Sequence, residues 1–293
     1  MKKALLIGIN YTSIPNISLQ GCIDDVVNMK ELLIDVYGYA ATDIVMLNDV
    51  EEGDSSKPTK ENIIKAFAML ASESSSLDEI WVHYSGHGSQ IYNQNSDQDE
   101  KLDSILVPLD YESEGYISEQ DLLSYLQKFT CRSILIFDCC HSGTMCDLPY
   151  VMEYIAPNRF TKKINTNAKM SNMDIYVFSA CRDSQTAADT FSEALQEPVG
   201  AFTASFIKQV KSKLQYNILT LYNDICMDLQ ASNYKQAPVL STSSANVYYT
   251  MVHNSVAILP TKPAILTTQP VVLPTQPQVV RPQVRARSRM SMF

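Results

Sequence analysis

Five short, nearly unbroken apolar runs constrain the fold more than anything else in this chain. They lie at 3–8, 43–47, 79–85, 132–138 and 174–179. A run that is apolar at almost every position, and not at every second one, belongs to a strand covered on both faces. Strands of that kind occur in parallel sheets with helices above and below. The gaps carry helical periodicity at about 24–36, 59–72, 118–129, 200–213 and 219–231. Ser118, followed three residues later by Asp121, opens the third of these as a cap pair. The expected class is therefore α/β, with a mainly parallel central sheet flanked by helices on both faces. No internal repeat interrupts it.

The 293 residues, 45% of them apolar, can bury the core of one large domain or two small ones. No apolar run approaches the roughly 20 residues of a membrane span. Residues 4–9 after Met1-Lys2-Lys3 are too short for a signal core, and Asn10 closes them, so they read as a first strand. Seven cysteines, an odd number at irregular spacings, argue for reduced thiols in a cytoplasmic protein. From His253 onward there is no Asp or Glu, and Lys262, Arg281, Arg285, Arg287 and Arg289 carry +5 of a chain whose net charge is −9. The remainder is strongly acidic, which disfavours nucleic acid as its partner and suits cationic substrates. The proline-rich tail reads as extended or disordered. Its Arg-Ala-Arg-Ser-Arg end is either a solvated terminus or a localisation or nucleic-acid patch. Residues 150–171, with Pro157, several Asn and four basic side chains, read as a long exposed loop.

In an open parallel sheet, ligands collect beyond the carboxyl ends of the strands. One run ends in His83-Tyr84-Ser85-Gly86-His87-Gly88 and another in Asp138-Cys139-Cys140-His141-Ser142-Gly143. A histidine and a cysteine at the same edge provide what thiol catalysis needs, a base and a sulfur that attacks as thiolate. His83 lies inside its strand and His141 adjoins the cysteine, whereas His87 follows a glycine on the loop and is the expected base. The competing reading of Cys139-Cys140-His141 as part of a zinc site lacks a second Cys/His cluster to complete it.

These two blocks resemble the signature blocks of the metacaspases. His87 precedes Cys140 by 53 positions, and in caspases the histidine lies about 50 residues upstream of the cysteine. The cysteine block differs from the Gln-Ala-Cys motif of true caspases. The resemblance extends to Gln20-Gly21-Cys22-Ile23-Asp24-Asp25, Val107-Pro108-Leu109-Asp110, the stretch from Ser179 to Asp189, Gly200-Ala201-Phe202-Thr203 and Gln236-Ala237-Pro238-Val239-Leu240-Ser241. It covers about residues 3–250 and is similar to the type I arrangement without its prodomain. The resemblance implies a caspase-like peptidase domain over 1–254. A large-subunit-like part covers about 1–150, an exposed loop about 150–171 and a small-subunit-like part about 172–254, with the basic tail at 255–293.

The resemblance also implies an activity and a set of site residues. The chain would hydrolyse peptide bonds after Arg or Lys through a thioester, with Cys140 as nucleophile, His87 as base, and the amides of Gly88 and Cys140 as the oxyanion hole. Cys22, Asp25, Ser85 and Asp138 would line the specificity pocket. The alternative role for Asp24 and Asp25 is to cap a helix and stabilise its N-terminal dipole. The family's calcium ligands fall on Asp103, Glu119, Gln120 and Asp147, where Gln120 replaces the usual Asp; metal-free surface acidity is the competing reading. The Asp97-Gln98-Asp99-Glu100 run reads as a solvated loop. Arg159, Lys162, Lys163 and Lys169 are the expected self-cleavage points. A monomer is expected, with calcium as the sole cofactor considered. A catalytically silent scaffold and an Asp-directed peptidase are the alternatives.

Overall fold

The computed structural model describes residues 1–92, 102–140, 142, 145–146, 148–181 and 200–254. In chain order the strands are β1 (Lys2–Gly8), β2 (Ile44–Asn48), β3 (Glu79–Ser85), β4 (Gly88–Tyr92), β5 (Leu102–Leu106), β6 (Ile117–Ser118), β7 (Arg132–Asp138), β8 (Tyr150–Ala156), β9 (Arg159–Ile164), β10 (Ile175–Ser179), β11 (Gln215–Asn217), β12 (Val239–Thr242) and β13 (Thr250–Val252). The helices are α1 (Cys22–Asp35), α2 (Lys60–Glu73), the single turn α3 (Tyr111–Glu114), α4 (Glu119–Leu126), α5 (Ala201–Ser212) and α6 (Ile218–Ala231).

Eight strands form the central sheet in the order β2-β1-β3-β7-β10-β12-β8-β9. The five apolar runs are its five parallel members, β2, β1, β3, β7 and β10. Each buries both faces. Ala4, Leu6, Trp81, Ile134, Ile136 and Phe178 pack under α1, α5 and α6 on one side. Leu5, Ile7, Ile80, Val82, Leu135, Phe137 and Val177 pack under α2 and α4 on the other. Ser118 and Asp121 form the expected reciprocal cap pair that opens α4, and Thr59 caps α2 by accepting the Asn62 N–H.

The stretch expected as a loop at 150–171 is largely a β-hairpin. Strands β8 and β9 pair antiparallel and extend the sheet beyond β12. Pro157 and Asn158 make the turn, with Asn158 at φ 59°, a left-handed conformation that Asn accepts more readily than most residues. The inward residues Met152 and Tyr154 are buried, and Tyr154 and Tyr222 both pack on Phe160. The turn chemistry is visible in the sequence, but the polar outer face of β9 conceals the strand. Among the described residues no helix is long and apolar enough to cross a membrane. The 255–293 tail, the 97–100 run and the 182–189 motif lie outside the described residues.

Candidate active site

Parallel pairing brings the two signature blocks together. Ser85 and Asp138 are partners at the ends of β3 and β7, and His87 and Cys140 each follow two residues later. The chains touch at Gly88, where a Cβ would come within 2.3 Å of the Cys140 carbonyl oxygen and 2.9 Å of the Cys139 sulfur. Only glycine lets the two loops approach so closely.

His87 is held from several directions. Its ring stacks at a tilt on Tyr11, with centroids 4.8 Å apart, and its Nε2 lies 2.7 Å from the carbonyl oxygen of Ile17. A carbonyl can only accept, so Nε2 carries the proton and Nδ1 is left as the basic nitrogen. The backbone N–H of His87 donates to the Tyr11 hydroxyl at 3.1 Å, and its carbonyl accepts from the Tyr84 hydroxyl at 2.7 Å. Burial lowers the pKa of the imidazole and the Ile17 bond opposes that shift, so the ring is neutral near pH 7.

The adjacent cysteines differ. Cys139 is buried, and burial holds its thiol far above the ordinary range. Cys140 is only half-buried. Cys181, two residues past the end of β10, stays protonated well above the usual thiol range, first through its hydrogen bond to Cys140 and then through burial. A protonated thiol there can donate to the Cys140 sulfur, which favours thiolate at Cys140 over Cys139.

Cys22, Asp25, Ser85 and Asp138 are brought together beside this pair. The Ser85 hydroxyl donates to Asp25 Oδ2 at 2.7 Å. Asp138 Oδ2 accepts both the N–H and the hydroxyl of Thr203, at 2.9 and 2.7 Å. Gly200, at φ +92°, runs so close that a Cβ would lie 2.3 Å from Asp25 Oδ1. The Asp25 carboxyl is pushed up to about 8 by burial, then by Asp138. Asp138 is raised by burial against the Thr203 bonds, and the Cys22 thiol is raised by burial and then by both carboxyls. Among the described residues no cation figures in these shifts. The capping alternative is not what the helix uses: Gly21 stands at the start of α1 without a side-chain cap bond, and Asp24 is exposed.

The expected calcium set is divided. Asp103 on β5 and Glu119 at the start of α4 are both buried, and Glu119 accepts the Ser104 N–H at 3.2 Å, so two hard carboxylate donors sit on adjoining elements. Gln120 is exposed, and Asp147 lies outside the described residues. Among the described residues no group of three or more His, Cys, Asp or Glu is arranged to hold a metal ion. Of the expected cleavage points, Arg159, Lys162 and Lys163 sit in β9, with Lys162 bonded to the Ala245 carbonyl and Lys163 paired with Glu153. Lys169 lies outside any strand and is exposed.

Tyr11, Ile17, Thr203 and Cys181 were not assigned roles from sequence. A backbone carbonyl such as that of Ile17 leaves no signal in residue type. Thr203 and Cys181 stood inside quoted motifs, but only the folded chain shows what they touch.

The family described as "Metacaspase, peptidase C14 domain" matches residues 2–149. The chain is 32% identical over 287 residues to Metacaspase-1B of Aspergillus oryzae, covering 83% of this chain and 68% of that one. It is 33% identical over 288 residues to Metacaspase-1 of Scheffersomyces stipitis, covering 83% and 70%. The crystal structure of protein GSU0716 from Geobacter sulfurreducens shares the fold, with a TM-score of 0.58 at 19% identity over 85% of this chain and 97% of that one. With His87 and Cys140 each two residues past the ends of neighbouring parallel strands, and with these relatives, the chain belongs to the metacaspases, and it is a cysteine-type peptidase.

Proposed function

We propose that this peptidase cuts after Arg or Lys, with Cys140 as nucleophile and His87 as its base. The observation that carries the specificity is the pair of buried carboxyls, Asp25 and Asp138, beside the cysteine block, with no cation among the described residues figuring in their shifts. Such a pocket favours a guanidinium or ammonium and repels an acidic side chain, which disfavours an Asp-directed enzyme.

The proposed steps are those of thiol catalysis. His87 Nδ1 takes the thiol proton, and the Cys140 sulfur attacks the scissile carbonyl carbon. The resulting oxyanion accepts from the backbone N–H groups of Gly88 and Cys140. His87 then protonates the leaving amine, and the C–N bond breaks to give the thioester. Water, deprotonated by His87, attacks the thioester, releasing the acid and restoring the thiol.

Calcium, if bound by this chain, would be held by Asp103 and Glu119, with Gln120 adding at most a neutral oxygen; the ion would supply charge that orders the β5–α4 corner. Self-processing is most favourable after Lys169, because β9 would have to leave the sheet before Arg159, Lys162 or Lys163 could be cut. Lysines along the outer strand β9 discourage edge-to-edge pairing, which supports a monomer. The thiol state of all seven cysteines supports a reducing, cytoplasmic setting. A peptide-library cleavage profile, run with and without calcium and with Cys140→Ala as control, tests the specificity. Cleavage dominated by residues other than Arg and Lys overturns it.

A further inference from the structure

His83 stands within β3, paired with Leu6 of β1 and Ile136 of β7, and is fully buried. Histidine is a costly choice for such a position. Burial keeps the ring neutral by driving its pKa down to about 3, and its Nδ1 is buried without a hydrogen-bond partner. An aliphatic side chain would fill the same space without either cost.

What the imidazole gains is a bond from Nε2 to Thr203 Oγ1, 3.1 Å long. The Thr203 hydroxyl lies 2.7 Å from Asp138 Oδ2 and donates to it, and the Thr203 backbone N–H reaches the same oxygen at 2.9 Å. A hydroxyl has a single proton to give. With that proton on the carboxylate, Thr203 can only accept from His83, so the imidazole must carry its hydrogen on Nε2. The unpartnered atom, Nδ1, is then the lone pair, in agreement with the geometry. The three side chains form a one-way chain of donors: imidazole, hydroxyl, carboxylate.

We propose that His83 is a positioning residue for cationic specificity: by donating to Thr203 it commits the hydroxyl to Oδ2 of Asp138 and leaves Oδ1 for the substrate's guanidinium or ammonium. This rests on the Arg/Lys reading above. A neutral donor is required, because a charged one would itself pair with Asp138 and compete with the substrate. Deleting the donor frees the hydroxyl to rotate, and the carboxylate then holds its place and its ionised form less well.

The test compares substrates ending in Arg and in citrulline, which has a similar shape without the charge. In His83→Leu the preference for Arg over citrulline falls about tenfold, the worth of one charge-assisted hydrogen bond, through a higher KM more than a lower kcat. His83→Gln, whose side-chain amide can donate from a similar place, recovers most of it. Thr203→Val gives the same loss, and the double variant His83→Leu/Thr203→Val is no worse than Thr203→Val alone, because both break one chain. Thr203→Val and His83→Gln carry the test even if His83→Leu does not fold. Wild-type selectivity in Thr203→Val, or in a folded His83→Leu, or losses that add in the double variant, overturns the proposal. A wild-type enzyme that does not distinguish Arg from citrulline overturns the specificity reading itself, and this inference with it.

Discussion

The parallel and antiparallel parts of the sheet have divided the work. In β2-β1-β3-β7-β10 all strands run the same way, so their carboxyl ends gather at one edge. Asn10, His87, Cys140 and Cys181 each lie two residues beyond the end of such a strand. In β12-β8-β9 successive strands reverse, so their ends are shared between two edges and no candidate catalytic residue lies there. The outer strand β9 is mostly exposed. A parallel sheet concentrates loops at one edge, where chemistry can be assembled; the antiparallel extension covers the flank of β10.

The sharpest test of this division is loss of turnover. Cys140→Ala and His87→Ala should each reduce kcat at least about 1,000-fold, with the double variant little worse than either. Cys139→Ala should retain much of the rate, because its thiol is buried and strongly protonated. A rate that follows Cys139 instead would reassign the nucleophile.

Stability should divide in the same way. Phe178→Ala, in fully buried β10, should cost about 3–5 kcal/mol. Ile164→Ala on β9, where the side chain is 63% exposed, should cost less than about 0.5 kcal/mol. Urea midpoints decide, and equal losses would mean that the hairpin is as integral to the core as the parallel strands.

Asp25→Asn and Asp138→Asn should each lower kcat/KM for Arg substrates by about 30-fold or more, as expected when one partner of a desolvated charge pair is removed. Citrulline substrates should lose far less. Uniform losses on both substrates would point to a folding role.

The pocket carboxyls also make stability depend on pH. Asp25, with its folded pKa raised to about 8, retains a proton that the unfolded chain gives up near pH 4. The folded state therefore binds more protons between about pH 4 and 8, and this group makes the protein less stable as pH rises through that window. Asp25→Asn should flatten the decline in Tm, and an Arg-ended inhibitor should reverse it by replacing the proton with a cation. Activity should behave differently, with an acid limb below the usual histidine range because burial keeps His87 neutral. A Tm that rises toward pH 8 in wild type would contradict the pocket's charge state.

The smallest effect concerns calcium. Gln120→Asp should shift the calcium concentration for half-maximal activity downward by a few-fold, since a charged ligand is added to Asp103 and Glu119. An unchanged titration would argue against metal at this corner.

How legible the fold was from sequence follows the same division. β3 and β7 could be read to the residue because unbroken apolar runs leave little freedom in where a doubly covered strand begins or ends. The Ser85–Asp138 register then brought His87 and Cys140 to one edge. β8 and β9 were read as loop because a strand with one face open to water can look like linker when Pro157 and Asn158 break it. The pocket's carboxyls were legible through a motif, whereas its supporting partners were not. Thr203 reaches Asp138 across 65 positions and His83 across 120, separations at which residue type alone says nothing about contact.

The strand order has one more consequence. β10 and β12, which follow Lys169, are inserted between β7 and β8, which precede it. A single cut at Lys169 would therefore produce two interleaved pieces, with β10 and β12 of the later piece hydrogen-bonded between β7 and β8 of the earlier one. Such a nicked enzyme would keep its hydrodynamic size, separate into fragments only under denaturing conditions, and retain a native sheet through which severed halves still act as one molecule.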